Sequence, residues 1–339
     1  MTRTGKVLTY GTGFILGCLI LALIPRETPQ PKRHPWHEQT ALEGTYPMQV
    51  VDDAGRTVLL EKQPRHFISL APSITEMLFA MAMGDHLMAV TQWCNYPEKA
   101  RELRDAGAHI GSMDQPNREL IAAYRPDLII GTDLTPPEIY AVVENPPGTV
   151  AVVLRHASME DVLEDIRIIG KITGVPGKAL RLVQQLEEER VAVEARLESF
   201  RQSPAKRVLV LLGIESGGQP GWAPGEDTWV NNLLESANAI NVASALGREW
   251  GEVSFETLVS LNPEILLVRD GESPEAQTLL RQQVQSLSGH PVWKQVKAVQ
   301  DGRVHILPHG PFNIPGPRIM QAYASIAEAV WEPHSGQSP

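Results

Sequence analysis

The chain has little cysteine, few aromatic side chains and no excess of positive charge. Its 339 residues include two cysteines, Cys18 and Cys94, which excludes a disulfide framework and a four-cysteine metal site. Aromatic residues make up 6% of the sequence, and the formal net charge is -10. Because nucleic-acid binding rests on clustered lysine and arginine, this balance argues against a nucleic-acid partner.

The common catalytic motifs are also absent from the sequence. There is no Gly-x-Ser-x-Gly nucleophile elbow, no phosphate-binding loop that ends in Gly-Lys-Ser/Thr, no His-Glu-x-x-His and no dinucleotide-binding glycine fingerprint. We therefore expect a protein that is not an enzyme and has no catalytic residue. The enzyme alternative would need a reactive group in a cleft, for which Ser69, Ser73, Tyr96 and His309 are the candidates.

The ten histidines do not form a metal-binding pattern. His34 and His37 lie in a proline-rich segment, and His305 and His309 stand on either side of Pro308, so neither pair shares a helix face. We expect no metal site and no cofactor. A metal-ion binding protein stays open as an alternative, with His305 and His309 as its ligands.

One long apolar run lies at the N-terminus. Residues 7–24 follow Arg3 and Lys6 and end before Pro25, which is typical of an export signal or a membrane anchor. The end of the run lacks the small residues of a cleavage site, and a lipid-bearing Cys18 would leave the most apolar part after the cysteine. An uncleaved anchor fits best, with the body exported to the periplasm or the outer face of the cytoplasmic membrane; cleavage and lipidation stay open.

The rest of the chain divides into two halves around a long helix. Apolar runs alternate with helical segments in both halves, which indicates an α/β protein with parallel sheets. Between the halves, apolar residues recur at helical spacing beside a charged face, which predicts a stiff connecting helix. The predicted segments are a signal or anchor (1–24), a tether (25–47), an N-terminal lobe (48–174), the connecting helix (175–202), a C-terminal lobe (203–333) and a tail (334–339).

A short pattern occurs once in each predicted lobe, at residues 119–130 and 256–267. Each copy begins with a glutamate, continues as a short amphipathic segment to a proline, and ends in an apolar run. Asn117 and Ser254 precede the two glutamates and are favourable N-caps. The pattern predicts a helix that stops before the proline and leads into a buried strand. The two lobes should therefore have similar structures.

The two glutamates of this pattern are Glu119 and Glu256. An acid in the first helical turn is stabilising by about 0.3–1 kcal/mol through the helix dipole alone. A role in docking a partner with matching twofold symmetry is equally open at this point. A catalytic pair is disfavoured, because acids at equivalent points of two lobes should lie too far apart for chemistry.

Some of the few aromatic residues lie in loops that follow predicted strands. Trp93 follows a strand of the first lobe, Trp222 lies in a glycine-rich loop of the second, and Phe312 lies in the loop before the last helix. Ligands of α/β proteins bind at the carboxyl ends of the strands, so these rings either contact a bulky ligand or pack beneath the loops. Trp229 and Trp293 stand at helical positions and are assigned to the core.

Five segments of the chain form a familiar set, at residues 65–80, 93–97, 110–111, 117–130 and 301–305. Together they resemble the periplasmic substrate-binding proteins of iron-complex and vitamin B12 ABC importers. The similarity follows the chain in order over about residues 48–333. The segment Trp-Cys-Asn-Tyr-Pro at 93–97 resembles the cobalamin-binding branch of the family.

The resemblance implies two Rossmann-like lobes joined by one long backbone helix, with a ligand held between them. The ligand would be a corrinoid (cobalamin), haem or a ferric siderophore, delivered to a dimeric ABC permease with its ATPase subunits. Glu119 and Glu256 match the family's permease-docking acids. The predicted ligand-binding residues are Ser73, Trp93, Tyr96, Trp222 and Phe312. Thr132 departs from the aromatic residue that is typical of vitamin B12 relatives at its position.

Overall fold

The computed structural model describes residues 45–143 and 148–331, all of which belong to one unit, Ala41–Pro339. The predicted anchor, the tether up to residue 44 and the predicted tail lie outside the described residues. Within the described part of the chain, no helix is both long enough and apolar enough to cross a membrane.

Strands and helices alternate along most of the chain. The strands are β1 (Met48–Val51), β2 (Thr57–Leu60), β3 (Phe67–Ser69), β4 (Leu87–Ala89), β5 (Leu128–Thr132), β6 (Val150–Leu154), β7 (Lys206–Leu211), β8 (Trp222–Pro224), β9 (Ala239–Asn241), β10 (Trp250–Glu252), β11 (Ile265–Arg269) and β12 (Val304–Leu307). The helices are α1 (Pro72–Ala80), α2 (Glu98–Asp105), α3 (Arg118–Tyr124), α4 (Pro137–Val143), α5 (Met159–Ile172), α6 (Pro176–Leu197), α7 (Trp229–Ser236), α8 (Phe255–Leu261), α9 (Pro274–Ser286), α10 (Lys297–Gln300), α11 (His309–Asn313) and α12 (Ile319–Trp331).

Two four-stranded parallel sheets form the centres of two lobes. The strand order is β4-β3-β5-β6 in the N-terminal lobe and β9-β7-β11-β12 in the C-terminal lobe. If the strands of each sheet are numbered along the chain, both orders read 2-1-3-4. The third strand of each sheet, β5 or β11, lies between two neighbours and is almost fully buried, as its unbroken apolar sequence predicts. The predicted fold class is confirmed.

The repeated pattern folds in the same way in both lobes. Asn117 caps α3 by accepting a hydrogen bond from the amide of Leu120, and Ser254 caps α8 by accepting one from the amide of Thr257, both at 3.0 Å. Each helix ends at a residue with positive φ directly before the proline. The predicted stop and the predicted N-caps are therefore both present in the structure.

The acid after each proline fastens the repeat to the first strand of its sheet. Asp127 accepts hydrogen bonds from the backbone amides of Arg65 and His66, the latter at 2.8 Å. Glu264 accepts one from the amide of Arg207 at 3.0 Å. The equivalence of the two lobes thus extends from strand order to single hydrogen bonds.

The connecting helix α6 runs for 22 residues, or about 33 Å. It begins at Pro176, ends at Leu197 and continues as a short 3-10 turn, Glu198–Phe200, within the predicted range. Its buried face packs against α5 of the N-terminal lobe and α12 of the C-terminal lobe. Because α6 contacts both lobes, it acts as a strut and not as a loose linker.

Candidate functional site

A cavity of about 390 Å³ lies between the two lobes. Both lobes contribute loops that follow the carboxyl ends of parallel strands, which is where α/β sheets hold ligands. From the N-terminal lobe come Ala71, Pro72, Ser73, Trp93, Asn95, Met113, Thr132, Asp133, Leu134, Arg155, His156 and Ala157; from the C-terminal lobe come Asp227, Thr228, Trp229, Glu249, Trp250, Glu272, His309, Gly310, Asn313, Ile314 and Pro315.

Three tryptophans line this cavity. Trp93 of the N-terminal lobe is 49% exposed, and Trp250 of the C-terminal lobe is 36% exposed. Trp229 is buried and packs against Phe312, with ring centroids 5.6 Å apart. Two accessible indole rings, one from each lobe, give the cavity the apolar surfaces that a large flat ligand requires.

The structure brings two of the five predicted ligand-binding residues into the cavity wall, Trp93 and Ser73. The other three lie outside the lining. Tyr96 lies against the guanidinium of Arg318, whose central carbon is 3.9 Å from the ring centroid. Trp222 is half-exposed on β8, and Phe312 is buried beneath Trp229. For these three residues, the position in the sequence did not determine the direction of the side chain.

Sequence reasoning missed two of the lining tryptophans. Trp250 lies between Gly247 and Gly251 in a short loop and strand, a setting that resembles the one that marked Trp222. The assignment of Trp229 to the core was incomplete, because its ring is buried and also forms part of the cavity wall. Its place as the first residue of α7, directly after a strand-to-helix connection, is the signal that could have found it.

Charged residues of opposite lobes meet at the cavity. Arg155 follows β6 and lies 3.3 Å from Asp133 of its own lobe and 3.5 Å from Glu249 of the other lobe. Asn95 donates a hydrogen bond of 3.0 Å to Glu272 across the same gap. Since the ion-pair partners are half-exposed, each ion pair contributes about 0.5 kcal/mol or less, and the lobes can separate here at small cost.

Among the charged residues of the cavity lining, acids outnumber bases. It includes the carboxylates Asp133, Asp227, Glu249 and Glu272, against one arginine, Arg155. Three of these four acids belong to the C-terminal lobe. An anionic ligand would therefore meet net repulsion from this wall, whereas a neutral or cationic ligand would not.

A buried ion pair joins the lobes next to the cavity. Arg318 donates two hydrogen bonds to Glu76 of α1, at 2.9 and 2.5 Å. Burial raises the pKa of Glu76, and the hydrogen bond and charge of Arg318 oppose that rise. The carboxylate is almost fully buried, so Arg318 is the group that compensates for its lost hydration. Tyr96, the predicted ligand contact, lies over this arginine and shields it.

Ser73 takes part in a hydrogen-bonded series of three side chains. Its Oγ lies 2.9 Å from Nε2 of His156, and Nδ1 of His156 lies 2.6 Å from Oδ2 of Asp165. Ser73 and His156 line the cavity, and Asp165 is buried behind them on α5. Neither His156 nor Asp165 was marked by the sequence, because His156 is 83 positions from Ser73 and no motif connects them.

Glu119 and Glu256 lie outside the cavity lining. Both are exposed acids in the first turn of α3 and α8, and each is followed closely by an exposed apolar residue, Leu120 or Val259. Neither residue takes part in the cavity wall. Glu119 and Glu256 are therefore surface acids at equivalent positions of the repeat, apart from the cleft.

The two histidines of the alternative metal site lie on different elements of the structure. His305 lies on β12, and His309 lines the cavity at the start of α11. Across residues 45–143 and 148–331, no group of three or more histidine, cysteine or acidic side chains has the geometry to hold a metal ion.

The fold and the cleft define a two-lobed α/β binding protein. The family model described as "Periplasmic binding protein" matches residues 68–310, and the chain belongs to that family. Proteins similar to the chain include an ABC transporter substrate-binding lipoprotein and vitamin B12-binding proteins, which confirms the resemblance seen in the sequence.

Three similar proteins illustrate the relationship. An uncharacterized ABC transporter substrate-binding lipoprotein, YvrC of Bacillus subtilis (strain 168), is 25% identical over 290 residues, which cover 84% of this chain and 86% of the relative. The vitamin B12-binding protein of Pectobacterium carotovorum subsp. carotovorum (strain PC1) is 28% identical over 216 residues, 62% of this chain and 73% of the relative. The solved structure of the periplasmic heme-binding protein RhuT from Roseiflexus sp. RS-1 superposes with a TM-score of 0.65 at 25% identity, and covers 79% of this chain and 99% of that protein.

Proposed function

We propose that the protein captures a corrinoid, a ligand like vitamin B12, between its lobes and delivers it to a dimeric ABC permease. The observation that carries this proposal is the pair of accessible rings, Trp93 and Trp250, which face one cavity from opposite lobes. A corrin is large and has wide apolar faces, so it can contact both rings at once. Burial of such faces against indole is favourable by the hydrophobic effect.

The charge of the cavity favours a corrinoid over haem and over a ferric siderophore. Haem carries carboxylates and many ferric siderophores are anionic, so both would face the acids Asp227, Glu249 and Glu272 with a single arginine as compensation. A corrin carries carboxamide groups, which donate hydrogen bonds to carboxylates without charge repulsion. The vitamin B12-binding relative from Pectobacterium supports the same choice.

Ligand binding is tested by titrating the full-length protein with cyanocobalamin, haem and a ferric siderophore in turn, with tryptophan fluorescence as the readout. We expect cyanocobalamin to quench strongly. Trp93→Ala should weaken binding by about 10- to 100-fold, because the ring contributes a large buried contact. Trp222→Ala is the matched control, since both rings are 49% exposed and only Trp93 lines the cavity. Equal losses in the two variants, or the absence of binding in the wild type, would contradict the proposal.

Docking to the permease is assigned to Glu119 and Glu256. Each acid occupies the same position of the repeated unit in its lobe, so the pair matches a partner with twofold symmetry. Acids of this kind speed encounter with a basic partner and fix its register more than they add affinity.

The docking assignment is tested by the double variant Glu119→Lys/Glu256→Lys with the cell's own permease in detergent. The association rate should fall by about 10-fold or more, and the dependence on salt should weaken. Glu138→Lys and Glu275→Lys provide matched controls, because both residues are exposed first-turn acids on other helices of the two lobes. A similar loss in the control variant would show that net charge, and not position, governs association.

We propose that the body is exported and retained at the membrane by its N-terminal segment. Because one similar protein is named a lipoprotein, lipid attachment at Cys18 is the competing form of membrane attachment. Intact mass of protein extracted from membranes separates the two. An unprocessed chain supports the uncleaved anchor, and a shortened chain that begins at a lipid-modified Cys18 contradicts it.

A further inference from the structure

Ser73, His156 and Asp165 have the arrangement of a nucleophile, a general base and the carboxylate that orients the base. The hydroxyl oxygen of Ser73 is 2.9 Å from one ring nitrogen of His156, and the other nitrogen is 2.6 Å from Asp165. Both distances are within the hydrogen-bonding range that proton transfer requires. The serine is 4% exposed and lies in the wall of the ligand cavity, so a reacting group would approach it from the cavity side.

We propose that these three residues form a nucleophilic triad, and that Ser73 is acylated by carboxylic esters that enter the cleft. This activity goes beyond capture and delivery, which require no bond to break. It also does not depend on which ligand the cleft carries, because the reacting groups belong to the N-terminal lobe alone.

The position of Ser73 in the fold supports a role as nucleophile. It follows the first strand of its sheet, β3, and is the second residue of α1, which begins at Pro72. Amides in the first turn of a helix have no acceptor within the helix and lie at its positive end. The amides of Ser73 and Ile74 belong to this first turn, so they are the candidate donors to an oxyanion formed at Ser73.

The partners of Ser73 fix the state of the imidazole. An ionised carboxylate can only accept hydrogen bonds, so Nδ1 of His156 carries the proton that faces Asp165. In the neutral ring Nε2 then accepts from the hydroxyl of Ser73. The side chain of His156 is 7% exposed and that of Asp165 is buried, so packing holds this orientation.

The reaction balances with the ester and water alone. The Ser73 oxygen attacks the carbonyl carbon while its proton passes to Nε2 of His156, and the imidazolium then protonates the leaving alkoxide. The alcohol departs and leaves an acyl ester on Ser73. Water, deprotonated by His156, attacks this ester, and the carboxylic acid leaves as the serine takes back the proton. The net change is hydrolysis of one ester to an acid and an alcohol.

The charges around His156 determine how the activity depends on pH. Burial disfavours the imidazolium, but the hydrogen bond and charge of Asp165, helped by Asp133 and Asp161, outweigh burial and raise the pKa of His156 above its usual value. Burial raises the pKa of Asp165 to about 6, against the effect of His156 and with Asp53 adding to the rise. Because the base must be neutral, acylation should increase as pH rises through the raised pKa of His156.

The experiment exposes the full-length protein in detergent to p-nitrophenyl acetate and follows release of nitrophenolate together with intact mass. We expect one acetyl group on Ser73, with none in Ser73→Ala. His156→Gln should slow acylation by about 10²- to 10⁴-fold, which is the usual effect of a general base. Ser112→Ala replaces a serine outside the triad and should react as the wild type does.

Asp165 acts through His156, so its variant needs a readout other than rate. In Asp165→Asn the main cause of the raised imidazole pKa is removed, and the inflection of the pH profile should move to lower pH. A purely structural role for Asp165 would change the rate without moving the inflection. Unfolding in urea and circular dichroism identify any variant that fails to fold.

Two results would overturn the proposal. One is a folded wild type that gains no acetyl group and releases nitrophenolate no faster than Ser73→Ala between about pH 6 and pH 9, where the imidazole base becomes neutral. The other is equal acetylation of the wild type and Ser73→Ala. In either case Ser73, His156 and Asp165 would be polar residues of the cleft wall without a role in acylation. Cyanocobalamin titration of Ser73→Ala keeps the two conclusions apart, because capture can succeed or fail regardless of acylation.

Discussion

The two lobes are alike at helices α3 and α8 and different in the cleft between them. On the outside the two lobes match in N-cap, in helix stop, and in the acids Glu119 and Glu256. In the cleft they diverge, because the N-terminal lobe supplies Ser73 and His156 whereas the C-terminal lobe supplies Trp250 and most of the carboxylates. A partner with twofold symmetry meets both lobes alike, but a single ligand does not. This difference agrees with the proposed docking of a twofold-symmetric permease on the outer helices and of a single ligand in the cleft.

The largest effect is expected from breaking the buried ion pair, which has no counterpart in the repeated pattern. Arg318→Met leaves Glu76 buried without a compensating charge, and should lower the free energy of unfolding by about 3–5 kcal/mol. Urea denaturation measures it. Replacement of both partners by apolar residues of similar size should recover most of the loss, and a loss below about 1 kcal/mol in the single variant would show that Glu76 is not effectively desolvated.

The repeat itself predicts two equal effects of intermediate size. Asn117→Ala and Ser254→Ala each remove one N-cap hydrogen bond of 3.0 Å and should each cost about 1 kcal/mol of unfolding free energy. The caps lie in different lobes and share no contact, so the double variant should show the sum. Clearly unequal single effects would mean that the lobes are alike in geometry but not in energy.

The smallest effect is expected at the cross-cleft ion pair. Arg155→Ala removes two half-exposed pairs and should change the unfolding free energy by no more than about 1 kcal/mol. Thermal denaturation at low and high salt checks this, with Arg201→Ala as a control that breaks an exposed pair outside the cleft. A loss comparable with that of Arg318→Met would show that the cleft is held shut by Arg155.

The symmetric part of the molecule could be predicted from sequence, and the asymmetric part could not. Caps, helix stops and apolar strands are local patterns, so residues 119–130 and 256–267 predicted two similar lobes with buried parallel strands. The cleft wall depends on how distant loops converge. His156 has no local signature, the glycine setting of Trp250 does not by itself place the ring in the cleft, and Phe312 turns inward because its ring packs under Trp229.

The docking acids and the cleft residues were predicted from different kinds of sequence information. Glu119 and Glu256 were found in the repeat, whereas their docking role rested on resemblance to the family. Trp93 and Ser73 follow strands β4 and β3 closely, so the rule that ligands bind at strand ends was sufficient to place them. Tyr96 follows β4 at a greater distance and packs on Arg318 instead.

Equilibrium titration with cyanocobalamin of three forms of the full-length protein tests the central claim most directly. The forms are the wild type, Glu119→Lys/Glu256→Lys and Trp93→Ala/Trp250→Ala. We expect equal affinity for the first two forms and a loss of at least about 100-fold for the third, since two large contacts are removed. Absence of binding by the wild type, or loss of affinity in the acid variant, would contradict the division between an outer docking face and an inner ligand cleft.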